Sequence, residues 1–253
     1  MSSKPTITAI IRADRMYLAS LFKSTEEARY YLFGVYLHPH DGGTNVVATD
    51  GHTMGIFRED IGFSASSQII ELSKDCLRAL KSCLRNPLNN WFVLTDEGTA
   101  TRRRAYIFRS AAENHDELRS AITDDVASSL SMNEAWSGAV EIIDYAYPDY
   151  LSAISKPLGE LQGSAAFQPK YLKRFADVAS SLSSDRARVP AAVSLLTHGT
   201  SSPTVVKVAS RDDFLGAVMP VCTEINAQRP SWSCKTEPKR EDASSPANAP
   251  VSA

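Results

Sequence analysis

Gln68-Ile69-Ile70-Glu71-Leu72-Ser73-Lys74-Asp75-Cys76-Leu77-Arg78-Ala79-Leu80-Lys81-Ser82-Cys83-Leu84 changes its hydrophobic period in the middle. Residues 68–72 are rich in β-branched and aliphatic side chains and read as a strand. From Ser73 the apolar positions recur at helical spacing, and Ser73 stands where an N-cap side chain belongs, so residues 73–84 are predicted to be helical. Cys76, Leu77, Leu80, Cys83 and Leu84 share one side of that helix, while at roughly 100° per residue Lys74, Arg78, Lys81 and Arg85 fall within an arc of about 60° on the other. With no acidic residue four positions away from these cations, the face is read as purely basic. It is either a solvated surface or a surface opposite an anion.

The same grammar recurs on both sides. Further strand candidates are residues 6–11, 30–37, 45–49, 91–94, 105–108, 140–143, 205–208 and 215–218, and two more helical patterns cover residues 13–22 and 169–182. Pro169 fits the first helical turn of the last one, since its missing N–H has no intrahelical partner there. In that helix Lys170, Lys173 and Arg174 share an arc opposed by Tyr171, Leu172, Phe175, Val178, Ala179 and Leu182, with Asp177 intruding on the basic side. The chain thus reads as three units of strand, helix and several strands. His38-Pro39-His40-Asp41-Gly42-Gly43 carries the Pro, Asp and Gly of a hairpin loop and predicts an antiparallel hairpin. Residues 113–130 form a more polar helical pattern, read as part of an insertion at 110–139. The last stretch, from 223 to 253, is polar and Pro-rich without apolar periodicity and is read as a disordered tail.

Composition sets the outer limits. The 253 residues, 43% hydrophobic and 22% charged, lie in the globular range, which excludes collagen-like and wholly disordered chains. The longest apolar run, residues 30–37, is far short of the roughly 18 residues a membrane span needs, so a cytoplasmic, membrane-free protein is expected. Cys76, Cys83, Cys222 and Cys234 form no CxxC pair, which fits a reducing compartment, and Cys76 and Cys83 read as small core residues. A formal net charge of −2 gives no global attraction for nucleic acid, so DNA contact would depend on cations concentrated on one face.

Arg29-Tyr30-Tyr31-Leu32-Phe33-Gly34-Val35 followed by Val47-Ala48-Thr49-Asp50-Gly51-His52 closely resembles the opening of the central domain of bacterial DNA polymerase III sliding clamps, the beta subunit. Tyr147-Pro148-Asp149-Tyr150 is similar to that family's FPDY motif at a domain junction, and Ala217-Val218-Met219-Pro220 to its VVMPM ending, in the family's order. The resemblance runs from about residue 6 to 221. It implies an α+β clamp fold with helices lining one face of antiparallel sheets, a central-clamp-like domain over 1–157, and half of a C-terminal domain over 158–222.

It also implies a function: a DNA polymerase processivity factor, an accessory subunit and not an enzyme, without cofactor or metal. Its partners would be duplex DNA held without sequence specificity, a DNA polymerase, and clamp-loader or repair proteins. The DNA-facing residues would be Lys74, Arg78, Lys81, Arg85, Lys170, Lys173 and Arg174. An apolar pocket for partner peptides would be built from Thr49, Gly51, His52, Met54, Pro148, Ala153, Ile154, Val218, Met219 and Pro220. The departures are specific. Three units are legible where a full chain of that family holds six, Thr53 replaces the arginine usual after Asp-Gly-His, and Ser152 replaces a basic residue after the Pro-Asp-Tyr motif. An unpaired half-domain predicts a homo-oligomer.

Two other readings compete. A clamp-derived accessory or decoy protein could bind partner proteins without closing a ring. A metal-dependent hydrolase would draw on His38, His40, Asp41, Asp50 and His52, potential ligands crowded into a short segment, although histidines beside a proline in a turn are ordinary loop residues.

Overall fold

The computed structural model describes residues 5–122, 134–154, 165–183, 190–197 and 202–223. The first unit is β1 (Ile7–Arg12), α1 (Ala13–Ser20), β2 (Val35–His40), β3 (Gly43–Thr49) and β4 (Thr53–Glu59), followed by the short β5 (Phe63–Ser64). The second is β6 (Gln68–Glu71), α2 (Lys74–Cys83), β7 (Asn90–Gly98), β8 (Arg102–Arg109), a short α3 (His115–Ala121) and β9 (Glu134–Ile143). The third holds α4 (Pro169–Leu182), β10 (Val193–Leu196), β11 (Thr204–Val208) and β12 (Arg211–Val218). All strands pair antiparallel in one sheet of order β10-β11-β12-β4-β3-β2-β6-β9-β8-β7-β1-β5. The fold is α+β.

Local sequence explains the helices. Ser73 Oγ accepts a hydrogen bond from the Cys76 amide at 3.1 Å and satisfies an otherwise unpaired donor at the start of α2. Pro169 begins α4, and Tyr171, Phe175, Val178, Ala179 and Leu182 are its buried stripe. The predicted hairpin forms between β2 and β3, with His40 opposite Gly43 and Gly42 at a φ of 91° that a side chain would resist.

The first two units are interlocked by exchange of their opening strands. β1 pairs with β7 of the second unit, and β6 pairs with β2 of the first. The third unit joins through β12, which pairs with β4 over Phe214–Phe57 to Val218–Thr53. At this seam Gly55 lies opposite Gly216, and a Cβ on either would drive into the ring of Phe22 or Phe175. Those rings, 5.1 Å apart, and the Phe57–Phe214 pair at 4.9 Å bring α1, α4, β4 and β12 into one core. Among the described residues no helix is long and apolar enough to cross a membrane.

Several elements depart from the sequence-based expectation. β4 and β10 were absent from the strand candidates. β4 is buried on nearly every side chain, so it lacks alternation and carries a glycine at its centre, and β10 is only four residues long. Residues 30–32 lie in a 3-10 turn, Glu27–Leu32, and the strand begins at Val35. Of the 113–130 pattern α3 covers His115–Ala121, and residues 123–130 lie outside the described ones; β9 starts at Glu134 rather than 140, because pairing with β8 extends it through Ala135-Trp136-Ser137-Gly138, of which only Trp136 favours a strand. The expected domain boundary at 157–158 and nearly all of the expected tail lie outside the described residues.

Candidate functional site

The turn between β3 and β4 is built around one carboxylate. Asp50 Oδ1 accepts from the His52 amide at 2.8 Å, the Thr53 amide at 2.7 Å and the Thr53 hydroxyl at 3.1 Å. Its other oxygen takes the Arg174 guanidinium from α4 at 2.6 Å, and the same Arg174 Nη1 reaches the Thr53 hydroxyl. Arg174 therefore brings a cation to the position where the clamp resemblance expects an arginine and this chain has Thr53. Burial pushes the Asp50 carboxyl up, but the two amides and Arg174 outweigh it and hold its pKa below the ordinary value.

The backbone follows from these bonds. Gly51 has a φ of 86°, and Arg29, whose Nη1 donates to the Asp50 carbonyl at 2.9 Å, occupies the space a side chain at 51 would need. His52 stacks on Tyr171 with ring centroids 5.6 Å apart, and the Arg174 guanidinium also lies 5.6 Å from the centre of the Tyr171 ring. The Met219 amide donates to the His52 carbonyl at 2.8 Å, tying the end of β12 to the turn.

Between these parts lies a small apolar hollow of about 80 Å³. Seven of the ten residues expected for a peptide pocket line it: Thr49, Gly51, His52, Met54, Ala153, Val218 and Met219. Pro148, Ile154 and Pro220 do not. Ile154 packs instead beside Met54, Tyr150 and Ala217. Thr53, Pro203 and Ala217 also line the hollow and were not anticipated. Ala217 and Thr53 sit inside or beside the quoted motifs, so adjacency could have found them, whereas Pro203 carries no signal. The Tyr147-to-Tyr150 segment is braced on the sheet by Tyr36 stacked on Tyr147 at 4.3 Å and by the Tyr150 hydroxyl against His38 Nδ1 at 2.8 Å.

Among the described residues the expected DNA-facing cations divide into those with an ion pair and those without. Lys74, Arg78, Lys81 and Arg85 are all exposed on or just after α2, as are Lys170 and Lys173 on α4. Arg78 is paired with Asp75 at 2.5 Å, three residues away, so the basic face is less pure than spacing at four positions indicated. Lys173 pairs with Asp177 at 2.8 Å, and Arg174 is committed to Asp50. The C-terminal ends of α2 and α4 meet at a polar cleft of about 450 Å³, lined by Arg85, Arg12, Arg211, Asp14 and the serines of the last turn of α4. Arg12 and Arg211 were not singled out from sequence.

The potential ligands of the hydrolase reading do not converge. His38 is engaged with Tyr150 and Asp50 with its own turn and Arg174, and no group of three ligating side chains occurs among the described residues. Cys76 and Cys83 are core residues of α2, and burial, with Cys83 nearby, pushes the Cys76 thiol up to about 12.

In fold the chain is similar to the DNA polymerase III subunit beta of Borrelia burgdorferi, solved in complex with a natural product, with a TM-score of 0.52 at 11% identity. That likeness covers 87% of this chain and 65% of the Borrelia protein. The DNA polymerase sliding clamp of Caulobacter crescentus is similar with a TM-score of 0.51 at 16% identity, over 88% of this chain and 68% of that one. The chain therefore has the sliding-clamp fold and spans about two thirds of the length of these proteins. No protein-family model matches it, and no curated protein matches it in sequence.

Proposed function

We propose that this sliding-clamp fold serves as a non-catalytic processivity factor for a DNA polymerase, holding duplex DNA without sequence specificity and docking short peptides of polymerase, clamp-loader or repair partners. The observation that carries it is the apolar hollow at the β4–β12 seam, where the turn at Asp50, the segment after Tyr150 and the end of β12 come together. A hollow of that size accepts one large aliphatic or aromatic side chain, with the rest of a peptide lying along the surface. The exposed cations of α2 and α4 support the DNA part, since they stand on the sides of those helices away from the core. Self-association and a cytoplasmic location belong to the same reading.

The test is a fluorescence-anisotropy titration with a peptide that binds bacterial clamps. Met219→Asp, at a half-exposed position beside the hollow, is expected to weaken binding at least tenfold, about 1.4 kcal/mol, without lowering the melting temperature. Folded wild-type protein that shows no binding at hundreds of micromolar peptide would remove the docking function.

A second reading is favoured by a specific observation. Arg78, Lys173 and Arg174 already face carboxylates, which leaves four of the seven expected DNA-facing cations without an ion pair among the described residues. That weaker field suits a clamp-derived accessory that binds partners without encircling DNA. Retention on closed circular DNA, lost when the circle is linearised, separates the two: the accessory reading expects no difference.

A further inference from the structure

The first two units complete each other by reciprocal loan of a strand. β1 is held on one side by β5, just past its own unit's last strand, with Ala9 opposite Ser64, and on the other by β7, with Ile10 opposite Val93 and Ile11 opposite Phe92. β6 is held on one side by its own last strand β9, with Ile69 opposite Ile143, and on the other by β2, with Ile70 opposite Val35. The third unit has the same parts in the same order. Residues 165–168 lead directly into α4 as β1 leads into α1, and Ala166 bridges Val221 just past β12. The loan alone is missing: among the described residues β10 pairs only with β11, and it ends the sheet.

Burial marks the same gap. The outer-strand residues Val35, Leu37, Phe92 and Val93 are fully buried, as are Ile10, Ile11 and Ile70 on the loaned strands. On β10, Leu195 is 38% exposed. Val193 and Phe167 pack on the main core but stay only partly buried. An edge of Val, Ser and Leu with no second strand beside it among the described residues is a template for another strand. The opposite end of the sheet is closed differently, since β5 has two residues and Phe63 is covered by His115, stacked at 5.7 Å, and Arg119 of α3.

We propose that the third unit is completed by the third unit of a second copy of this chain, each lending residues 165–168 to β10 of the other about a two-fold axis. The occupant follows from the repeat: only another copy carries both the strand to lend and the edge to receive it. Neither Ala165-Ala166-Phe167-Gln168 nor Val193-Ser194-Leu195-Leu196 bears a charge, so nothing electrostatic opposes the contact. Because the exchange is reciprocal it consumes both open edges and stops at two chains rather than growing into a fibre. It rests on the self-association included in the clamp reading and says how that association is built, and it needs neither DNA nor peptide.

Light scattering on the full chain alone, at tens of micromolar, is expected to give twice the chain mass of 27.6 kDa, and Leu195→Lys to give the single chain mass. A second measurement stands if that variant fails to fold. With Cys222 and Cys234 replaced by serine, chains carrying Ser194→Cys are mixed with chains carrying Ala166→Cys and treated with a short bismaleimide. Covalent dimer is expected from the mixture and not from Ser194→Cys alone. A wild-type monomer, a dimer indifferent to Leu195→Lys, or cross-linking of Ser194→Cys by itself, which would mean β10 against β10, overturns the proposal. All three are read without DNA or peptide, so they are independent of whether either binds.

Discussion

Removing the Asp50 carboxylate should destabilise the protein by an amount the turn's geometry bounds. The side chains of Asp50 and Arg174 are 12% and 26% exposed, between a surface pair, worth up to about 1 kcal/mol, and a fully buried pair, whose breaking costs about 3–5 kcal/mol. Asp50→Asn keeps an oxygen for the His52 and Thr53 amides and loses only the charge, so we expect about 1.5–2 kcal/mol. Asp50→Ala also orphans both amides and should cost about 3 kcal/mol, lowering the melting temperature by roughly 6–12 °C for a chain of this size. Urea unfolding followed by far-ultraviolet circular dichroism measures both, and a double-mutant cycle with Arg174→Ala should return a coupling of about 1–2 kcal/mol. The sign with pH is also determined. Because the folded pKa of Asp50 lies below its unfolded value, its contribution is present above the unfolded value, about 3.9, and is lost as pH falls through the folded one. The gap between wild type and Asp50→Asn should therefore close in acid. Additive single mutants, or a cost for Asp50→Ala below about 0.5 kcal/mol, the usual range of surface substitutions, would refute the claim that this pair holds the turn.

Glu59 should act with the opposite sign. It is buried beside Arg15, which is shared with Asp213; burial, with Asp14 and Asp213 adding to it, raises the Glu59 pKa to about 7 against the pull of Arg15 and Arg12. Between about pH 4.5 and 7 the folded protein keeps a proton that the unfolded chain releases, so this group's effect is to lower stability as pH rises, by on the order of 3 kcal/mol across the window. Glu59→Gln should flatten that slope, and an unchanged slope in urea titrations across the window would exclude Glu59 as its source. On α2, charge reversal at Lys74, Arg78 and Lys81 should weaken duplex binding and reduce the salt slope of log K by about 0.9 for each phosphate no longer neutralised. The variant should fold normally, since all three side chains are exposed, and an unchanged slope would place any DNA contact elsewhere.

Much of the architecture was legible because it is written in local patterns. Ser73 and Pro169 mark real helix starts, the apolar stripes of α2 and α4 face the core, and the loop at residues 38–43 turns a hairpin, each by interactions within a few residues. Motif residues Thr49, Gly51, His52, Ala217, Val218 and Met219 do line one hollow, but the β4–β12 seam that brings the two motifs together is no local interaction.

What the amino-acid order alone determined, then, is the repeat of strand, helix and strands and the identity of the faces each element must bury. Tertiary structure decided the partners. Strand exchange between β1 and β7 and between β6 and β2, and the seam of β4 on β12, join segments whose periodicity says which face is apolar but not which strand lies alongside. β4 escaped notice because burial on both faces erases alternation. Arg174 shows the limit most directly: helical spacing places it among the cations of α4, yet proximity to an aspartate 124 residues away makes it a brace for the turn at Asp50. A guanidinium's partner is set by distance in space, and no local pattern encodes that distance.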